Sequence, residues 1–367
     1  MHSNARRVAI IAALVLALCS FSMLSANAEF APVPKDQLKV GFVYIGDVSD
    51  KGYTYAHHQG TLAMQAALGL TDEQVLYKTN VSEDAACENA ILELIEQGCQ
   101  IIFTTSYGFM DYTEALAAEY PDVIFSHCSG YKSNGVNFNN YFGRIYQPRY
   151  LSGIAAGLKT QSGKIGYVAA FSNPEVNGGA DAFTLGVRSV NPEAEVYIQY
   201  TSTWYDPTVE RQAAEALLDL GCDVIAQHQD TSMPQIAAQN RGVWGVGYNA
   251  DMSDDAPDAE LCSPIWNWGA YVTTAVQSVI DGEWTPENSF MGMKEGLVGL
   301  SELTANNDPR AQALIDEAAA KILSGEFDVF DGEIKDNTGA VRVQAGQRLT
   351  DTEITSIDWL VEGLIVK

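Results

Sequence analysis

A regular alternation of short apolar runs with longer helix-forming stretches is the feature that most constrains the fold of this chain. The first half of the sequence predicts strands at 38–46, 74–79, 100–105 and 123–126, and helices at 52–68, 82–97 and 111–119. Ser82 is the expected N-cap of the second helix, because an acidic first turn follows it. Strands separated by single helices pair in parallel through right-handed crossovers. The pattern therefore predicts an α/β fold.

The same alternation restarts after residue 162. Strands are predicted at 163–170, 195–200, 223–227 and 243–247, with helices at 178–190, 207–220 and 233–240 and later ones at 271–281 and 309–324. Two doubly wound lobes of about 110 residues each fit a chain of this length. Pro148 and residues 150–158 lie where the chain is expected to cross between lobes. The tail at 327–367 is expected to form a small hairpin that covers both lobes.

The charge balance excludes several classes of partner. The chain carries 21 Lys+Arg against 47 Asp+Glu, which gives a formal net charge of −26. So acidic a protein is repelled by DNA, RNA and anionic lipid. We therefore expect no nucleic-acid partner.

The N-terminus has the pattern of an export signal. Arg6 and Arg7 precede an apolar run at 8–18, and small residues at 26–28 suit cleavage before residue 29. Residues 1–28 are therefore predicted to be a signal peptide, and the mature protein is predicted to be periplasmic. A lipoprotein signal ending at Cys19 is the alternative. It is disfavoured because a bulky leucine stands just before that cysteine.

The cysteines do not predict a metal site. Of 6 cysteines, cleavage at the predicted position leaves an odd number, with no CxxC or CxxH spacing. Most are expected to be small buried apolar residues. One disulfide would be compatible with an oxidising compartment, but the sequence does not select a pair.

The segments that follow the predicted strands are rich in aromatic, amide and acidic side chains. In an open parallel sheet, ligands bind beyond the carboxyl ends of the strands. Aromatic planes with a few polar groups suit a flat heterocycle that stacks and forms hydrogen bonds at its edge. The candidate ligand-binding residues in these segments are Tyr53, Tyr55, Ser106, Tyr107, Phe171, Trp204, His228, Asp230, Tyr248, Asn249, Asp251 and Trp266.

Each candidate also has a structural interpretation. Tyr53 and Tyr55 could cover the start of a helix, and Trp266 could belong to the core. Asp230 and Asp251 could cap helices. The sequence alone leaves these alternatives open.

The motifs of common catalytic sites are absent from the sequence. The sequence contains no GxSxG, HExxH or GxxxxGK[ST], and no GxGxxG follows the first strand. His57 and His58 are adjacent and point in different directions, so they do not form a metal pair. No catalytic residue, metal or cofactor is predicted, and we expect a binding protein rather than an enzyme.

Several stretches together resemble the basic membrane protein family, the substrate-binding proteins of purine- and nucleoside-type ABC transporters. The stretches are 52–60, 141–153, 227–230, 247–253 and 266–269. The resemblance implies a type I periplasmic-binding fold, with two lobes joined by crossover strands that close on a ligand. It also implies an ABC permease as partner for a monomeric protein. The implied division is lobe 1 at 37–150 plus about 268–300, lobe 2 at 151–267, and a segment at 301–367 packing across both.

Departures from the family's nucleoside-binding pattern point to a smaller ligand. Tyr53 takes the aromatic place of the first loop, whereas Asn249 replaces an acidic residue. The region around Trp266 lacks a lysine that helps to hold ribose in nucleoside-binding members. The resemblance therefore implies a free purine base, adenine-like, with Phe171 and Trp204 stacking on the ring and Asn139 among the residues that read its edge.

Other interpretations of the sequence remain open. The ligand could be a nucleoside, or another heterocycle such as a flavin or a thiamine-like ring. A nucleoside-processing enzyme and a chemoreceptor-coupled binding protein are the remaining alternatives.

Overall fold

The computed structural model describes residues 30–367. The predicted signal peptide at residues 1–28, with the alternative attachment site Cys19, lies outside the described residues. The first part of the chain forms β1 (Val40–Tyr44), α1 (Tyr53–Leu68), β2 (Val75–Lys78), α2 (Ala85–Glu96), β3 (Ile101–Thr105), α3 (Met110–Glu119), β4 (Ile124–Cys128) and β5 (Phe138–Gly143).

The middle of the chain repeats this architecture. It forms α4 (Tyr146–Lys159), β6 (Lys164–Ala169), α5 (Pro174–Val190), β7 (Glu195–Tyr200), α6 (Pro207–Asp219), β8 (Val224–His228), α7 (Met233–Asn240) and β9 (Trp244–Val246). The remainder forms β10 (Glu260–Cys262), β11 (Pro264–Trp266), α8 (Gly269–Asp281), β12 (Ser289–Met291), β13 (Val298–Leu300), α9 (Ala311–Ser324), β14 (Ile334–Lys335), β15 (Val341–Val343), α10 (Asp351–Ile354) and β16 (Leu364–Val366).

Two parallel sheets organise the molecule. The first has the order β12-β5-β4-β3-β1-β2 and the second has the order β10-β9-β8-β6-β7-β16. Their central strands β1, β3, β4 and β8 are buried along their whole length, since helices cover both faces. The predicted α/β class with doubly wound parallel sheets is confirmed.

Two helix starts differ from the sequence prediction. Helix α2 begins at Ala85, and the side chain of Asp84, not Ser82, accepts from the backbone N–H of Ala86 at 2.8 Å. Helix α5 begins at Pro174, and Asn173 caps it by accepting from Val176 at 3.0 Å. In the second case the prediction began the helix too late because it gave weight to a pair of glycines over the Asn-Pro start signal.

Strand β5 was not predicted from the sequence. Asn139 and Asn140 interrupt its apolar pattern, but both side chains are buried and hydrogen-bonded. The amide of Asn139 donates to the Tyr271 hydroxyl and to the Glu287 carbonyl, both at 2.9 Å. Tertiary partners that the local sequence does not reveal therefore satisfy these polar groups within a buried strand.

The C-terminal tail contributes to the second sheet. β14 and β15 form the antiparallel hairpin that the sequence predicted, while β16 pairs in parallel with β7. Within residues 30–367, no helix has both the length and the apolar character needed to cross a bilayer. The cysteines of this part of the chain are buried free thiols: Cys87, Cys99, Cys128, Cys222 and Cys262.

Helices α4 and α5 touch backbone to backbone. A Cβ atom on Gly186 would lie 2.0 Å from the carbonyl oxygen of Tyr150, and one on Gly153 would lie 2.1 Å from that of Phe183. Real Cβ atoms do not approach oxygen so closely, so this helix pair requires glycine at both positions.

Gly186→Ala is therefore expected to destabilise the protein by about 1–3 kcal/mol, because the helices must separate to admit the methyl group. Gly178→Ala in the same helix is the control: its Cβ would lie 3.6 Å from Ile357, an ordinary contact. That variant is expected to be neutral or stabilised by up to about 1 kcal/mol, since alanine is the better helix former. Urea denaturation of both variants measures the difference, and equal stability of the two would contradict the packing argument.

Candidate ligand-binding site

The carboxyl ends of both sheets face a shared, narrow cavity. From the first sheet it is lined by Ile45, Tyr53, Ser106, Tyr107 and Ser129, and from the second by Glu175, Trp204, His228, Asp230 and Tyr248. Each lies at or after the carboxyl end of a strand, and Tyr53, at the start of α1, is the farthest from its strand.

Many of the sequence candidates come together in this cavity. Those that line it are Tyr53, Ser106, Tyr107, Trp204, His228, Asp230 and Tyr248. Two more candidates support lining residues from behind. The ring of Phe171 packs edge-on against Trp204 with centroids 5.1 Å apart. The amide of Asn249 donates to a carboxylate oxygen of Asp230 at 3.0 Å.

The other candidates lie away from the cavity wall. Trp266 is buried and stacks on Trp268 with centroids 4.2 Å apart. Asn139 is held inside the first lobe by the bonds described above. Asp251 is exposed and accepts from the backbone of Ser253, and Tyr55 is half-buried on α1.

The lining residues that the sequence analysis did not select are Ile45, Ser129 and Glu175. Ile45 and Ser129 directly follow β1 and β4, so the strand-end rule that selected the others also applies to them. Glu175 stands in the first turn of α5, a few residues beyond β6.

The side chain of Asp50 stabilises the start of helix α1. Its carboxylate accepts from the backbone N–H groups of Gly52, Thr54 and Tyr55 at 2.8, 3.1 and 2.9 Å. These bonds satisfy donors that a helix start leaves open. They hold Tyr53, the first residue of the helix, at the cavity wall.

The two lobes touch beside this helix start. A Cβ on Gly52 would lie 2.2 Å from the carbonyl oxygen of Asp230, so only glycine permits the contact. The contact brings Tyr53 of the first lobe next to Asp230 of the second.

Several carboxyl groups crowd this part of the cleft. Burial raises the pKa of Asp230 well above its usual range, and the charges of Asp50 and Glu210 raise it further. Burial also raises the pKa of Glu210 to about 7, although Thr231 donates to it at 2.5 Å. Such groups favour ligands that are neutral or cationic and that donate hydrogen bonds.

A hydrogen bond also joins the lobes on the other side of the cavity. The Ser129 hydroxyl donates to Glu175 at 2.6 Å. The Nε2 atom of His228 lies 3.7 Å from the other oxygen of Glu175. Burial lowers the pKa of His228 to about 4, so its imidazole is neutral at physiological pH.

A buried arginine supports the rear of the cavity. Arg149 donates to the carbonyl of Gln227 at 2.6 Å, and its guanidinium lies 3.6 Å from the ring centroid of Tyr248. The indole N–H of Trp266 donates to the Tyr248 hydroxyl at 3.3 Å. Tyr248 is thus fixed from its face and from its hydroxyl, which makes it a rigid wall.

The described residues, 30–367, contain no group of three or more His, Cys, Asp or Glu side chains arranged to hold a metal ion. The geometry of the cavity is that of a binding site, with aromatic walls from two lobes and carboxyl groups between them.

The raised pKa of Asp230 gives a pH-dependent stability. In the unfolded chain this carboxyl ionises near its ordinary pKa of about 3.9, whereas the folded ligand-free protein resists its ionisation. The folded state therefore loses stability as the pH rises above that value. Asp230→Asn removes the effect, so the variant is expected to exceed the natural protein in Tm by more at pH 7.5 than at pH 4.

Thermal unfolding of the ligand-free proteins at the two pH values measures this. Asp251→Asn, an exposed position outside the cavity, is the control and is expected to show no such pH-dependent gain. If Asp230→Asn exceeded the natural protein in Tm by the same amount at both pH values, burial would not be raising the pKa of this carboxyl.

Comparison with known proteins gives the chain's relatives. A family model described as "ABC transporter substrate-binding protein PnrA-like" matches residues 37–331. A purine-binding protein of Brucella abortus is 37% identical over 351 residues, which are 96% of this chain and 98% of the relative. A Haloferax volcanii protein named as an ABC transporter glucose-binding protein is 37% identical over 305 residues, 82% of this chain and 76% of that protein.

Solved structures agree in fold. A solute-binding protein of an ABC transporter system from Aeropyrum pernix matches with a TM-score of 0.70 at 21% identity, covering 82% of this chain and 93% of that one. A transcriptional activator of the comK gene from Bacillus halodurans matches with a TM-score of 0.67 at 22% identity, covering 79% and 99%. At such identities the likeness concerns the fold, and it confirms the two-lobed architecture.

Proposed function

Because the chain belongs to the PnrA-like family of ABC transporter substrate-binding proteins, we propose that its cleft captures a purine base of the adenine type for delivery to a permease. Capture takes place outside the cytoplasmic membrane, in the periplasm. The ligand leaves chemically unchanged. The relative from Brucella abortus, a purine-binding protein, is consistent with this ligand class.

The observation that carries the proposal is the pairing of aromatic side chains from opposite lobes. Tyr53 at the start of α1 and Trp204 after β7 line the same cavity. Aromatic side chains on both sides of a narrow space suit a planar ring, because stacking buries both of its faces. Closure of the lobes would exclude water from these faces.

The edge of the ring would be read by Asp230 and its neighbours. The Asp230 carboxyl can accept from an exocyclic amine or, when protonated, donate to a ring nitrogen. Asn249 Oδ1 is buried and has no hydrogen-bond partner within residues 30–367. It could accept from a second donor after a small rotation of the amide.

The indole of Trp266 favours a free base over a nucleoside. It is stacked on Trp268 and bonded to the hydroxyl of Tyr248. Nucleoside-binding members carry a lysine in this region of the chain. Here a fixed apolar ring fills that place. A ribose would lose a hydroxyl partner there.

A sugar is the second candidate. The relative from Haloferax volcanii carries the name of a glucose-binding protein. The indole of Trp204, which lines the cavity together with carboxyl groups, also suits a sugar, because the apolar C–H face of a sugar can cover an aromatic ring. Including glucose among the ligands tested separates the two candidates.

The proposal is tested by calorimetry with adenine, guanine, hypoxanthine, adenosine, riboflavin and glucose. Adenine is expected to bind with a Kd of about 1 μM or tighter, which corresponds to about 8 kcal/mol. Tight binding of adenosine, riboflavin or glucose without binding of any base would overturn it. Incubation with adenosine followed by chromatography is expected to show no release of base, and release would instead indicate an enzyme.

Trp204→Ala is expected to weaken adenine binding by about 1–3 kcal/mol, since stacking of a base on an aromatic side chain contributes about that much. The adjacent Tyr205, 49% exposed and absent from the cavity lining, provides the control Tyr205→Ala, expected to bind adenine like the natural protein. Calorimetry on both variants is the measurement. An unchanged affinity in Trp204→Ala would show that this tryptophan does not contact the ligand.

A further inference from the structure

A second, larger cavity adjoins the first. Its volume is about 290 Å³, and it shares Tyr107, Ser129 and Glu175 with the cavity described above. We call the cavity that contains Asp230 the inner compartment and the second one the outer compartment. The three shared residues form the neck between them.

The neck lies where the two lobes meet. Ser129 and Glu175 come from opposite lobes and are joined by the hydrogen bond of 2.6 Å. Tyr107 stands at the same place. A group attached to a ring in the inner compartment that extends past these residues enters the outer compartment.

The outer compartment is built largely of apolar surface. Its walls include Phe142, Ile145, Tyr146, Pro174, Phe290 and Ile354. Gly178 of α5 faces the same space, and a Cβ there would have no atom closer than 3.6 Å. The lining thus differs in character from that of the inner compartment, where carboxyl groups are concentrated.

The far wall of the outer compartment is held firmly. Arg144, which follows β5, forms two bonds to Asp351 at 2.6 and 2.7 Å. The same guanidinium lies 4.5 Å from the ring centroid of Phe290. This bidentate pair ties α10, which carries Ile354, to the first lobe and gives the wall a fixed geometry.

An exposed aromatic side chain stands at the mouth. Tyr131 lines the outer compartment and is 64% exposed, more than any other large hydrophobic side chain of the described residues. A large aromatic group left in water at the edge of an apolar cavity is typical of a surface that covers a ligand.

From these observations we infer that the ligand is a purine base that carries an apolar substituent, with the base in the inner compartment and the substituent in the outer one. The inference rests on the proposed capture of a base. A bare base held at the inner compartment would leave the apolar walls of the outer one in contact with water. A substituent that passes the neck removes those walls from water and adds to affinity.

The substituents to compare are a benzyl group and a ribose. Adenine, N6-benzyladenine, 9-benzyladenine and adenosine are titrated into the natural protein by calorimetry. At least one benzyl derivative is expected to bind about tenfold tighter than adenine, which equals about 1.4 kcal/mol of added burial. Adenosine, whose substituent is polar and shares its attachment point with 9-benzyladenine, is expected to bind more weakly than the better benzyl derivative.

The outcomes separate the two proposals. If adenine binds and both benzyl derivatives bind no tighter than adenine, the inference fails while base capture stands. If adenosine binds tightest of the four, the outer compartment takes a sugar and the inference also fails. If none of the four binds, base capture itself fails.

A pair of exposed tyrosines supplies the matched variants. Tyr131→Ala removes part of the outer wall, and it is expected to lower the affinity for the better benzyl derivative about threefold more than that for adenine. Tyr77→Ala changes a tyrosine that is 47% exposed and lines neither compartment, and it is expected to leave the ratio of the two affinities unchanged. An unchanged ratio in Tyr131→Ala, with the natural protein preferring the benzyl derivative, would show that the substituent does not lie against this part of the outer wall.

Discussion

The carboxyl ends of two parallel sheets face each other across one gap, and the rest of the molecule depends on that constraint. A parallel sheet delivers the residue after each of its strands to a single edge. Here Ile45, Ser106 and Ser129 from one lobe meet Trp204 and Tyr248 from the other. Short segments supply the site while the strands behind them stay buried, so the chemistry of the cleft can vary without disturbing the two cores.

Bringing the lobes together concentrates negative charge. Asp50 lies on the first lobe, and Asp230 and Glu210 lie on the second, close enough for their charges to raise the pKa of Asp230. Like charges in a buried space oppose closure unless they become protonated or gain donors. Hydrogen-bond donors on a ligand reduce this repulsion. The Gly52 contact and the bond between Ser129 and Glu175 also favour close approach of the lobes. The carboxyl groups that face the cleft therefore bear on how closely the lobes approach each other.

The sequence predicted β1 to β4 and β6 to β9 because most of these strands are apolar runs bounded by a helix. It failed at β5, where the side chain of Asn139 depends on Tyr271 and Glu287, more than a hundred residues away. It also missed the short edge strands β10, β12 and β16. For the site, the strand-end rule was sufficient to bring Tyr53 and Trp204 to one cavity. It could not tell that Trp266 stacks inward, because a strand of three residues gives no clear alternation of buried and exposed faces.

The inward position of Trp266 links the two compartments. Its indole N–H bonds to Tyr248, which lines the inner compartment, and its ring fills the space where a Cβ of Gly143 would come within 2.4 Å. Gly143 lines the outer compartment. One indole thus supports both cavities from behind, through Tyr248 on one side and Gly143 on the other. Loss of this ring would therefore disturb the walls of both cavities at once.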